Sequence, residues 1–120
     1  MPKACRDLGL LVSEYHTHCH RALELRPKTI VKVLEATDAF RRPERFEKFL
    51  LACEADARGR AGLEDRAYPQ AEYLRGAQAA ATAIDAASIA KDHEGSNVAR
   101  AIRRARIAAV AGFRADSQVP

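Results

Sequence analysis

The chain has no tryptophan, one methionine, and only seven aromatic residues among 120. Glycine is sparse at six and proline at five. Few β-branched residues and few glycines, with alanine supplying much of the 48% hydrophobic content, argue against a sheet and for helix. The apolar runs are only a few residues long, far short of the ~20 that span a bilayer. No charged-then-apolar leader with a small-residue cleavage site opens the chain, so neither secretion nor membrane insertion is expected. Cys5, Cys19 and Cys53 form neither a CxxC pair nor an even disulfide set, which fits a reducing cytoplasm. The composition likewise excludes a disordered, collagenous or disulfide-framework chain.

What is present reads as one all-α chain of about five main helices in a small bundle. Pro27, Pro43 and Pro69 each stand where a helix begins, because proline's missing N–H costs nothing at the first helical position. Apolar residues at three- and four-residue steps predict a first helix over Lys3 to His18 with Cys5, Leu8, Leu11, Val12, Tyr15 and then Cys19 on one face. A second, Pro27 to Phe40, buries Ile30, Val33, Leu34 and Thr37. A third, Pro43 to Ala57, lines up Phe46, Phe49, Leu50 and Cys53. Gly59 and Gly62 mark Arg58 to Ala67 as a loop. The fourth helix runs from Pro69 to Ile84 with Tyr73, Leu74, Ala77, Ala80 and Ala81 inward, and Asp85 to Asp92 reads as a short helix of its own. After the Gly95-Ser96-Asn97 turn, the fifth main helix, Val98 to Ala111, presents Val98, Ala101, Ile102, Ala105, Ala108 and Ala109 to the core.

Three clusters carry possible chemistry. His16 and His20, four residues apart, share a helix face and can ligate one metal ion if a carboxylate such as Asp38 or Asp56 joins them. No H-E-x-x-H motif or zinc-finger spacing supports this, and histidines bonding neighbouring helices is the simpler reading. Asp56 stands near a helix C-terminus, where the dipole disfavours a carboxylate, and Arg58 and Arg60 are placed to offset it. On the last helix Arg100, Arg103, Arg104 and Arg106 fall within seven residues, with Arg114 beyond. Acidic residues are nearly absent there, so the stripe is a candidate for tracking a nucleic-acid backbone by counterion release. A solvated charged face is the alternative. No aromatics interleave with these arginines, which argues against base stacking.

Five ordered stretches then carry a resemblance. They are Glu14-Tyr15-His16 through Cys19-His20-Arg21 to Arg26-Pro27, Asp38-Ala39-Phe40-Arg41-Arg42-Pro43-Glu44-Arg45-Phe46, Cys53-Glu54-Ala55-Asp56-Ala57-Arg58-Gly59-Arg60, Tyr68-Pro69-Gln70-Ala71-Glu72-Tyr73-Leu74-Arg75 and Ala101-Ile102-Arg103-Arg104-Ala105-Arg106-Ile107-Ala108-Ala109. Together they resemble the C-terminal portion of the bacterial multifunctional CCA-adding tRNA nucleotidyltransferase, the form with an HD domain. The resemblance implies residues 1–60 as the end of an HD-like domain and 61–120 as a helical tail. It also implies tRNA as partner and magnesium or another divalent ion as cofactor of the full enzyme, with none expected for this chain alone. By the same resemblance His16, His20 and Asp56 lie close to the HD pocket. The family's paired-carboxylate head finds no place in these 120 residues, and no His-Asp dipeptide occurs; Asp92-His93 is the reverse order. The expected role is therefore non-catalytic: completing the HD fold and offering tRNA a basic helical surface. Two alternatives stand beside it. One is a freestanding module that dimerises, and the other is a partial phosphohydrolase site completed by the missing N-terminal part.

Overall fold

The computed structural model describes residues 3–59, 65 and 67–116, and every described element is helical. In chain order these are α1 (Lys3–His20), a 3₁₀ turn (Ala22–Glu24), α2 (Pro27–Ala36), α3 (Pro43–Arg58), α4 (Pro69–Thr82), α5 (Ala86–Lys91) and α6 (Ser96–Asp116). Pro27, Pro43 and Pro69 each open their helix as expected. Asp85 caps α5 by accepting a hydrogen bond from the Ser88 backbone N–H at 3.0 Å. The boundary drawn at residue 60 falls outside the described residues.

The helices form a slab of 53 × 39 × 18 Å. At 8–10 Å between packed helix axes, that thinnest dimension holds no more than two helical layers. One apolar cluster joins both halves of the chain: Cys19 from α1, Ile30, Val31 and Leu34 from α2, Phe46, Phe49, Leu50 and Cys53 from α3, Leu74, Ala77 and Ala81 from α4, and Val110 from α6. The stripes expected on α2 and α3 are fully buried. On α1 Cys19 is fully buried, Leu8, Leu11, Val12 and Tyr15 are half-buried and pack against the core, and Cys5 is exposed.

Several boundaries and one face differ from expectation. The first helix continues through His20. The second stops at Ala36, because residues 37–39 close it with a Schellman motif. There the Ala39 N–H donates to the Leu34 carbonyl at 2.9 Å and the Asp38 N–H to the Glu35 carbonyl at 3.2 Å. This geometry requires left-handed backbone at the intervening residue, and Asp38 supplies it with φ of 59°. Buried Thr37 is satisfied by donating its hydroxyl proton to the Val33 carbonyl at 2.8 Å.

The last helix is longer than expected, and its inward face is wider. Ala108 is exposed, whereas Val110 is buried and Ile107 and Phe113 pack on the core. Val98, Ala101, Ile102, Ala105 and Ala109 of the expected stripe are half-buried, and beside them a second row, Arg103, Arg106, Ile107, Val110, Phe113 and Arg114, also faces inward at three- and four-residue steps. With alanines on every side of this helix, its apolar phase is ambiguous in the sequence. The deciding factors are the larger side chains and a close approach to α4: a Cβ on Gly76 would collide with the Phe113 ring.

Candidate functional site

The histidine cluster sits where α1 ends against α3 and the residues leading into α4. His16 and His20 share a face as their spacing requires, with ring centroids 5.8 Å apart. The His16 Nδ1–H donates to its own helix, reaching the Val12 carbonyl at 2.9 Å, which leaves Nε2 as its acceptor nitrogen. His20 is held from both sides. Its Nε2 lies 3.0 Å from Asp56 Oδ2, and its Nδ1 lies 2.8 Å from the Tyr68 hydroxyl. That hydroxyl is also 3.2 Å from Cys19 Sγ.

Tyr68 has one proton and two acceptors within reach. When His20 is neutral, its Nε2–H donates to Asp56 and its Nδ1 accepts from Tyr68. When His20 is protonated, both ring nitrogens donate, and the Tyr68 proton turns to Cys19. Burial raises the Tyr68 pKa above its ordinary value, and the contact with Cys19 adds to this. Hydrogen bonds from Cys53 and Tyr68 lower Cys19 against the opposing effect of burial, while Cys53 is raised by that same bond and by burial. The buried thiols and the phenol thus share hydrogen bonds with a His–Asp pair that faces solvent.

The sequence places Arg58 and Arg60 to balance Asp56, and the described contacts add two partners to this charged corner. Arg58 ion-pairs with Glu54 at 3.0 Å, His20 meets Asp56, and Arg60 lies outside the described residues. Asp38 does not approach the histidines in this arrangement; its carboxylate lies 3.9 Å from Arg45. A divalent ion needs at least three convergent ligands here, and no such group of His, Cys, Asp or Glu is assembled among the described residues. His20 and Asp56 also direct their facing atoms at each other. By themselves, these residues do not fit a metal.

The arginine helix divides into two sets. Arg103 pairs with Glu35 of α2 at 3.2 Å, Arg106 lies over the Phe40 ring at 3.9 Å, and Arg114 donates to the Leu23 and Leu25 carbonyls. These three dock α6 antiparallel onto α2, with their stems covering apolar surface. Arg100 and Arg104 are exposed. Local spacing could not reveal Glu35, Phe40 or Tyr68 as partners, because each is far away in sequence. The Tyr68-Pro69 signal marked only a helix start.

No helix among the described residues is long and apolar enough to cross a membrane. No profile of a known protein family and no solved structure matches the chain. Among curated proteins, it is 51% identical over 117 residues to the Multifunctional CCA protein of Hahella chejuensis, 50% to that of Pseudomonas aeruginosa and 52% to that of Thioalkalivibrio sulfidiphilus. Each match covers 97% of this chain but only 28–29% of the relative. The resemblance carried by the five ordered stretches is borne out: nearly the whole chain is related in sequence to the C-terminal part of the Multifunctional CCA protein.

Proposed function

We propose that this chain is the non-catalytic helical part of a CCA-adding tRNA nucleotidyltransferase, helping to assemble the enzyme and giving tRNA a positive surface. The observation that carries this reading is its similarity, at about half of all positions and along 97% of its length, to proteins of that name. One structural fact agrees with it: docking of α6 leaves Arg100 and Arg104 exposed to solvent. Exposed arginines of this kind contact phosphates without reading bases, so the association is sensitive to salt and indifferent to sequence.

The test is fluorescence anisotropy of an end-labelled tRNA against the purified chain across a salt series, together with CTP and ATP incorporation by the chain alone. Saturable binding that weakens with salt, and no incorporation, are expected. Absence of tRNA binding at low salt removes the proposed RNA contact, and nucleotide incorporation by the chain overturns its non-catalytic assignment.

A further inference from the structure

Away from both sites just described, a groove of about 550 Å³ opens between the start of α1 and the start of α3. Its lining includes four cations, Lys3, Arg42, Arg45 and Lys48, against two carboxylates, Asp7 and Glu44, with Leu8 as an apolar wall. The volume is within the range of binding clefts, about 300–1,000 Å³. Lys3, Arg42 and Lys48 are exposed, and none of the three has an ion-pair partner among the described residues. Arg45 is partly held by Asp38 at 3.9 Å.

None of the four cations holds the fold together in the way that Arg103, Arg106 and Arg114 do. Arg42 precedes the first turn of α3 without a side-chain capping bond, and Lys48 lies on the solvent side of that helix. Their positive charge therefore has no structural use that the contacts reveal. It converges from two helices 40 residues apart in sequence, on a surface distinct from α6, which packs on α2, α4 and α5.

Resting on the reading of this chain as part of a tRNA-acting enzyme, the geometry points to this groove as a second RNA contact, one that takes a stretch of phosphodiester backbone. Arg42 and Lys48 bind phosphate oxygens at the rim, Lys3 closes the opposite wall, and Arg45 is released from Asp38 to a phosphate that comes closer. Arginine suits this task because its planar fork donates two parallel hydrogen bonds to one phosphate. Asp7 and Glu44 oppose the anion, and they limit affinity at the wall where they stand.

The experiment uses the 120-residue chain and end-labelled tRNA. An R42A/K48A variant removes two exposed side chains without opening the core, and its circular dichroism melt reports whether the fold persists. It is expected to bind tRNA about tenfold more weakly, with a salt slope shallower by about two, near 0.9 for each phosphate that is no longer neutralised. E44Q is expected to bind several-fold more tightly. Unchanged affinity and slope for R42A/K48A, while R100A/R104A weakens binding, overturns the groove and leaves the broader reading standing. Failure of the unaltered chain to bind tRNA removes the RNA contact of that reading and the groove with it. Competition by poly-glutamate as effective, per charge, as unlabelled tRNA overturns the assignment to RNA in favour of an acidic protein partner.

Discussion

Gly76 of α4 lies directly beneath the ring of Phe113 of α6, so close that a single added methyl group would overlap the ring. The Tyr73 ring, one helical turn earlier, completes the contact at a centroid distance of 5.6 Å. Two effects of Gly76→Ala oppose each other. Alanine favours a helix interior over glycine by about 1 kcal/mol, whereas overpacking costs about 1–3 kcal/mol. Here the colliding atoms belong to a partly buried ring wedged between two helices, so overpacking wins. Urea denaturation is expected to show a net loss of up to about 2 kcal/mol. In the background of Phe113→Ala, the same glycine replacement should become neutral or stabilising; an equal loss in both backgrounds would disprove the wedge.

Asp38 gives a second prediction. Left-handed backbone costs an ordinary L-residue about 1–2 kcal/mol, and aspartate tolerates it better than alanine does. Asp38→Ala is therefore expected to destabilise the chain by about 1 kcal/mol. Asp38→Gly should remain within about 0.5 kcal/mol of the parent, because its conformational freedom suits the motif and the ion pair to Arg45 is long and partly exposed. Equal losses for both variants would mean that the carboxylate, not the backbone, matters at this corner.

Tyr68 sets a pH dependence. Its folded-state pKa is raised from an ordinary value near 10, by burial first and by Cys19 second. The folded chain thus keeps a proton that the unfolded chain releases. The sign follows: this contribution is intact below pH 10 and is lost as pH rises beyond it. Cys53, raised from near 9, acts in the same direction, and Cys19, which is lowered, acts against them. Tyr68→Phe removes only the phenol's share. Thermal midpoints between pH 8 and 11 are expected to fall more steeply for the parent than for the variant, which at pH 8 should be about 1 kcal/mol less stable through its missing hydrogen bond. Parallel slopes would assign the alkaline loss to the thiols.

The core of this chain is legible in the sequence because its strongest helices are unambiguous. In α3, Phe46, Phe49, Leu50 and Cys53 are large, evenly phased and bordered by charge, and all four are fully buried. In α2, the Schellman closure at Asp38 leaves no sequence signal because the usual glycine is absent. On α6 the alanines fill more than one face, so periodicity alone finds a half-buried row and misses the neighbouring one that holds the fully buried Val110. The histidine site is half legible. The spacing of His16 and His20 makes them neighbours, but the His20 bonds to Asp56 and Tyr68 join residues 36 and 48 positions apart. Contacts over such separations are fixed by tertiary packing and leave no local pattern.

That neighbouring row yields the last prediction, which separates docking arginines from contact arginines on one helix. Arg106 stacks on Phe40, and a cation over a ring contributes about 0.5–1 kcal/mol at a partly exposed site. Arg103 and Glu35 are both about 40% exposed, so their pair is worth at most about 1 kcal/mol after solvent screening. Arg103→Ala and Arg106→Ala should each lower stability by about that amount and, combined, loosen α6 from α2. Arg100→Ala with Arg104→Ala should alter stability by less than about 0.5 kcal/mol, since neither side chain docks the helix. The effect on tRNA should be reversed, with several-fold weaker binding and a flatter salt dependence in the exposed pair. Urea titration and tRNA anisotropy on the same variants decide the matter, because a solvated face predicts no tRNA effect from Arg100 and Arg104, while a uniform phosphate stripe predicts equal losses from all four.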